Sequence, residues 1–216
     1  MIERLLTIDV SALSDADKTL PVVDPAVRAM VPDVRTAGPA FTVVAEDDHL
    51  PVMDALMQAA PGDVLVIATN GGSRAVFGEL FATEARRRGL AGIVADGFCR
   101  DLRGLRRIGL PVFARGTTPR SGTTRSRAAH GTTVTCGGAQ VTPGDIVFGD
   151  DDGLLIAAPE RIAAALETAE LIARSERAIL AAQARGDALH DLTNHREHVA
   201  ALDRGEASAL AFRVDA

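Results

Sequence analysis

Apolar residues run along the chain in short blocks separated by polar turns, and the blocks alternate between two periods. Residues 39–45 (PAFTVVA), 64–68 (VLVIA), 92–95 (GIVA) and 112–114 (VFA) are rich in strand-forming side chains. The block at 64–68 carries no polar residue, as expected of a strand covered on both faces. Between these blocks helical spacing takes over. One helical pattern passes through Val52, Leu56 and Met57 after Asp47-Asp48 and ends at Pro61-Gly62. A second ends at Arg88 before Gly89, and a third covers 100–108 before Gly109. Asn70-Gly71-Gly72-Ser73 is the turn leading into the second helix, and Asp96-Gly97 the turn before the third. The order β-α-β-α predicts an α/β fold with a central sheet flanked by helices.

The remaining segments have a different texture. Residues 1–35 mix short apolar stretches with Asp and Pro, which predicts one or two helical turns packed on the body. Residues 116–138 are rich in Thr, Ser, Gly and Arg and predict irregular β structure or a long loop over the core. Pro143-Gly144-Asp145 then introduces a strand at 146–148, and Asp150-Asp151-Asp152-Gly153 turns it back into a hairpin partner at 154–157. From Pro159 to about Arg185 the spacing is that of one long amphipathic helix, stopped by Gly186. Its apolar stripe is Ile162, Leu166, Ala169, Ile172 and Leu180, and Glu176 falls on the same stripe. A carboxylate there needs a partner: Arg177 or another arginine of the same chain, or a site across a subunit boundary. His195 and His198 have a spacing that suits a metal, but with His190 they sit among polar residues that predict an exposed helix face. The chain reads as one domain, 1–216, with 159–216 a helical C-terminal segment.

Composition narrows the chemistry. No apolar run approaches the roughly 20 residues of a membrane span, and no leader pattern opens the chain. A cytoplasmic protein without a membrane partner is expected. Cys99 and Cys136 make neither a disulfide framework nor a cysteine-rich zinc site. The net charge of −6 argues against a nucleic-acid partner, yet residues 86–127 hold eleven arginines against Asp96 and Asp101 alone. That basic stretch attracts anions or serves an interface. Of 23 basic residues only Lys18 is a lysine, in the polar stretch 14–18. A Schiff base requires a desolvated lysine, so any carbonyl chemistry must rest on a metal or an arginine.

Glu79, Asp96, Arg100 and Asp101 fall at the carboxyl ends of two consecutive predicted strands, where ligands bind in open α/β sheets. Each has a plain structural alternative: Asp96 as a turn residue, Asp101 as a helix N-cap, Glu79 as complement to a helix dipole. Together they suit a divalent cation and a small 2-oxo acid. Magnesium keeps several waters and needs only one or two protein carboxylates. A 2-oxo acid brings two further oxygens, the N–H groups of Leu80 and Phe81 at a helix start can take its carboxylate, and Arg100 can stabilise a developing enolate.

The run GELFATEARRRGLAGIVADGFCRD, residues 78–101, resembles the central motif of the 4-hydroxy-4-methyl-2-oxoglutarate aldolase family. That family is similar in fold to the regulator of ribonuclease E activity, type A. The likeness extends to both Pro-Gly-Asp turns, the Asp-Asp-Asp-Gly turn and the helix after Pro159. It implies a layered α/β/β/α sandwich of the swivelling-domain type with a long C-terminal helix. It also implies a lyase that uses Mg2+ or Mn2+ to cleave pyruvate from 4-hydroxy-2-oxo diacids, with oxaloacetate decarboxylase activity. By the resemblance Asp101 coordinates the metal and Arg100 binds substrate, with Gly78, Leu80 and Phe81 around it. Glu79 stands where many members have an aspartate that holds metal-bound water, and Glu176 corresponds to a glutamate supplied by an adjacent subunit of a trimer or hexamer. The rival is a non-catalytic regulator that binds ribonuclease E-type proteins; those relatives typically lack the aspartate after the arginine, which is present here.

Overall fold

The alternation of side chains along one short strand sets out the architecture. In the structure, a computed structural model that describes residues 1–127 and 130–213, strand β3 (Val64–Ala68) is buried at every position. Its faces serve two different cores. Val64, Val66 and Ala68 join the interior of a curled sheet, while Leu65 and Ile67 lie beneath a layer of helices. Those helices are α3 (Leu50–Gln58), α4 (Glu79–Arg87) and α5 (Leu102–Ile108). They bury Val52, Leu56, Ala82, Ala85 and Leu105 against the sheet.

Seven strands follow one another across the sheet. The order runs β1 (Arg28–Ala29), β6 (Val112–Thr117), β5 (Gly92–Cys99), β3, β2 (Thr36–Val44), β9 (Ile146–Asp150) and β10 (Gly153–Ala157). An eighth, β4 (Ala75–Phe77), pairs with the end of β5. The four central neighbours β6, β5, β3 and β2 are parallel, and the pairings at both edges are antiparallel. One stretch of chain bridges the two edges. The N–H of Val23 donates to Leu154 on β10 at 3.0 Å and the N–H of Met30 donates to Val112 on β6 at 2.8 Å. The sheet is therefore a nearly closed barrel. Its interior is filled by the hairpin β7 (Val134–Cys136) and β8 (Ala139–Val141), whose Val134, Cys136, Ala139 and Val141 pack on Val66 and Val94.

A second helical layer covers the other side. Helices α1 (Ile2–Leu5), α2 (Val10–Ala16) and α6 (Pro159–Ala184) bury Leu5, Leu13, Ile162, Leu166 and Ala169 against Phe148 and Leu155. The expected α/β/β/α layering and long C-terminal helix are thus present. The stripe on α6 continues through Ala173 and not through Leu180, which is 64% exposed. Helix α7 (His195–Asp203) buries no residue, and the His198 ring bonds only Ser208 among the described residues, at 3.0 Å. No helix among the described residues is long and apolar enough to cross a membrane.

Three local expectations change. The helix that ends near Arg88 begins only at Glu79, because β4 occupies the stretch after the Gly71-Gly72 turn. Residues 116–138 include the end of β6 and all of β7, with residues 128–129 outside the described range. Asp96-Gly97 is not a turn: β5 passes through it to Cys99, with an irregularity in its pairing to β6 between Ala95 and Phe98. Gly97 is required there because a Cβ would meet Thr69 Oγ1 at 2.6 Å. The Asp96 carboxylate accepts from the Arg115 guanidinium and from the N–H of Gly137 at 2.8 Å, and Arg115 also bonds Asp24 at 2.9 Å. This network ties β5, β6, the bridging segment and the interior hairpin together. Burial pushes both thiols, Cys99 and Cys136, up to about 12, which makes them inert core residues.

Replacing Asp96 by Asn keeps the shape and leaves Arg115 with Asp24 as its one remaining carboxylate partner in this network. Chemical denaturation of Asp96→Asn is expected to show a loss of about 1.5–3 kcal/mol, the range for hydrogen bonds to a charged group in a partly buried pair.

Candidate active site

The site forms where the parallel strands end and two helices begin. The N–H of Arg100 donates to the carbonyl of Phe77 at 3.1 Å, which stitches the end of β5 to the end of β4. Asp101 follows in the left-handed region, φ 61° and ψ 39°, a conformation that a non-glycine residue adopts at a cost. Its carbonyl accepts from Gly104 at 2.8 Å and Leu105 at 3.1 Å, so the distortion starts α5 at once. The Asp101 side chain makes no capping bond to its own helix, unlike the plain N-cap alternative. It faces the first turn of α4 instead, where Oδ2 lies 3.3 Å from the N–H of Glu79 and 3.4 Å from Arg100 Nε.

Only glycine fits at the start of α4. A Cβ on Gly78 would stand 2.5 Å from Asp101 Oδ2 and 2.8 Å from Arg100 Cγ. The N–H groups of Leu80 and Phe81, next along the helix, have no protein acceptor among the described residues. They carry the positive end of the helix dipole. Gly78, Leu80, Phe81, Arg100 and Asp101 line one cleft that is open to solvent. Arg100 and Asp101 side chains are 41% and 42% exposed, within reach of a dissolved ligand.

The opposite wall comes from residues with no motif to announce them, His49 and Ser121. Ser121 sits on a loop clasped to β4: Ala75 donates to Arg120 at 2.8 Å, Gly122 donates back to Ala75 at 2.9 Å, and Arg74 Nη1 donates to the Ser121 carbonyl at 3.0 Å. Asp48 anchors the same loop. Its buried carboxylate accepts from Thr123 Oγ1 at 2.6 Å, from the N–H groups of Arg125 and Ser126 at 2.7 and 2.9 Å, and from Leu50 at 2.9 Å. Burial alone would raise its pKa, but these hydrogen bonds outweigh burial and hold it well below the usual carboxylate range.

The other acids are placed elsewhere. Glu79 pairs with Arg107 and lies over Gly104, where a Cβ would meet its Oε2 at 2.3 Å. It lines the adjoining hollow with Asp101 and Arg103. Asp96 belongs to the structural network above. Glu176, half-buried on α6, does not line the cleft of its own chain and has no ion-pair partner among the described residues.

Comparison with known proteins fits this geometry. The family profile described as "RraA-like: Aldolase/RraA" matches residues 10–156. The chain belongs to the RraA-like aldolase family. The matched range runs from α2 through most of β10 and takes in the whole cleft, whereas α6 and Glu176 lie beyond it. A Halalkalibacterium halodurans member named "Putative 4-hydroxy-4-methyl-2-oxoglutarate aldolase" is 35% identical over 157 residues, 72% of this chain and 75% of that protein. A crystal structure of a Pseudomonas syringae protein superposes with a TM-score of 0.79 at 27% identity, covering 88% of this chain and 94% of the other. The RNA-processing inhibitor RraA from Thermus thermophilis gives 0.64 at 27% identity, covering 68% and 91%.

Two variants test how this RraA-like cleft is built. Gly78→Ala is expected to cut ligand affinity about 100-fold by displacing both Arg100 and Asp101, roughly the effect of losing one preorganised charge-stabilising group, with the cooperative melt retained. Asp48→Asn is expected to cost about 2–4 kcal/mol near neutral pH, the worth of its hydrogen bonds to a charged group. A depressed folded-state pKa stabilises above the unfolded value of about 3.9 and loses that contribution as pH falls below it. The gap between wild type and Asp48→Asn should therefore close in acid, as followed by denaturant titrations at stepped pH.

Proposed function

We propose that this protein is a divalent-metal-dependent pyruvate aldolase. Its substrate is a 4-hydroxy-2-oxo diacid such as 4-hydroxy-4-methyl-2-oxoglutarate, and oxaloacetate decarboxylation is a second activity of the same site. The observation that carries this reading is the pairing of Asp101, held in a strained conformation beneath Gly78, with Arg100 and two free helix amides around one cleft. The name of the Halalkalibacterium relative supports the same reaction class.

The donor set suits magnesium or manganese better than zinc. Among the described residues no three His, Cys, Asp or Glu side chains gather as a metal cage, and one accessible carboxylate beside a narrow glycine cradle matches an ion that keeps most of its waters. Asp101 would hold it, and once bound it would polarise the substrate's oxo group as a Lewis acid.

The chain's own groups account for the rest. The substrate's 1-carboxylate accepts from the N–H groups of Leu80 and Phe81, and Arg100 donates to the 2-oxo oxygen. When the C3–C4 bond breaks, its electron pair moves toward C2 and the 2-oxo oxygen gains the negative charge of the pyruvate enolate. Arg100 stabilises that charge in the transition state. The 4-hydroxyl gives up its proton as C4 becomes a carbonyl, and C3 then takes a proton to complete pyruvate. Glu79, on the far side of Asp101, and Glu176 from an adjacent subunit handle these protons through water. Leu171 and Leu180, 46% and 64% exposed on α6, support a homotrimeric or hexameric assembly that would cover them.

A coupled lactate dehydrogenase assay should detect pyruvate from oxaloacetate or 4-hydroxy-4-methyl-2-oxoglutarate in magnesium or manganese, lost on chelation. Asp101→Ala is expected to reduce kcat/KM by roughly 1,000-fold or more, since several kcal/mol of charge stabilisation go with it. Full activity of Asp101→Ala in chelator would refute the enzyme reading. A stable complex with ribonuclease E that survives Asp101→Ala would favour the regulator.

A further inference from the structure

We infer that His49 binds the second carboxylate of the diacid and thereby selects dicarboxylic over monocarboxylic 2-oxo acids. This rests on the aldolase reading and extends it to the end of the substrate that the 78–101 motif leaves unassigned. A 4-hydroxy-2-oxo diacid has a carboxylate at each end. The α4 amides and Arg100 account for the first carboxylate and the oxo group. A second carboxylate brought into the cleft without a donor would lose solvation with nothing in return.

Besides Arg100, the cleft has two side chains able to donate a hydrogen bond, His49 and Ser121. Only the imidazole can also carry positive charge. Its ring nitrogens make no hydrogen bond among the described residues, and the nearby charges are engaged elsewhere. Asp48 is fully used by the loop, Asp47 accepts from the N–H of Arg74 at 2.7 Å, and Arg74, which does not line the cleft, turns Nη1 to the Ser121 carbonyl at 3.0 Å.

The ring is held in place without being occupied. The N–H of His49 donates to Thr123 at 3.0 Å, its carbonyl accepts from Met53 at 3.2 Å, and its ring meets Phe81 edge-on with centres 5.8 Å apart at 77°. Phe81 links the two ends of the proposed substrate, since its N–H serves the first carboxylate and its ring abuts the imidazole.

Two reactions of the same full-length protein in magnesium buffer test the assignment. Pyruvate release from 4-hydroxy-4-methyl-2-oxoglutarate needs both ends of the site. Exchange of pyruvate methyl protons in D2O, read by NMR, needs only the first carboxylate, the oxo group and the enolate-stabilising arginine. His49→Ala is expected to lower kcat/KM for the diacid about 10- to 100-fold, mainly through KM, as loss of a charge-assisted hydrogen bond does. Exchange should stay within about twofold of wild type, which also shows that the variant folds. His49→Gln, which keeps a donor, should recover part of the loss, and 4-hydroxy-2-oxopentanoate, lacking the second carboxylate, should be indifferent to either change. An unmoved diacid KM in an active His49→Ala protein overturns the assignment alone, as does a parallel fall in both reactions. A wild type that performs neither reaction overturns the aldolase reading and this assignment with it.

Discussion

The cleft depends on how closely the start of α4 approaches the end of β5. Gly78 leaves no space for even one carbon between its own backbone and the side chains of Arg100 and Asp101. That contact brings the dipole end of one helix, two free amides, a guanidinium and a carboxylate to one place. It also explains why Asp101 tolerates a left-handed backbone, a cost of order 1 kcal/mol. The strain turns the chain from strand to helix within one residue and leaves the carboxylate facing the cleft rather than capping α5. The parallel order of β3, β5 and β6 fixes this contact, because it puts the ends of neighbouring strands on the same edge.

The two acid–arginine pairs of this region have opposite duties. Asp96 and Arg115 saturate each other and the hairpin inside the barrel, so their charge is consumed by structure. Arg100 and Asp101, neighbours in sequence, pair more loosely, Nε to Oδ2 at 3.4 Å, and both side chains are two-fifths exposed, so their charge stays within reach of a ligand. Asp48 shows a third use of a carboxylate. Buried beneath the loop, it fixes the wall that carries His49 and Ser121 and takes no part in the cleft's own chemistry.

The legible parts of this molecule were those encoded by near neighbours. Apolar blocks and glycine stops give β2, β3 and α6 to within a few residues, and the 78–101 run places Arg100 and Asp101 together at a sheet end. What sequence reading misplaced is governed by distant contacts. Asp96-Gly97 reads as a turn, yet Thr69 and Gly137 hold it inside a strand. Residues 116–138 read only as irregular β structure or loop, because β7 alternates buried and exposed residues over three positions, too few to show a period. Asp47-Asp48 reads as a helix start, and only the loop some 75 residues later, at Thr123 and Arg125, gives Asp48 its anchoring role. Glu176 stands out in the sequence by its place on the stripe, and within one chain it has neither an ion-pair partner among the described residues nor a place in the cleft.

In the proposed function Asp101 is the point where a metal and a 2-oxo acid meet. The most direct measurement is Mn2+ binding followed by electron paramagnetic resonance, with and without oxalate as a mimic of the pyruvate enolate. Wild type should bind one Mn2+ per chain, oxalate should tighten that binding, and the metal should tighten oxalate by the same factor. Asp101→Ala should lose both effects. Mn2+ binding that is indifferent to oxalate, or undiminished in Asp101→Ala, would contradict the account.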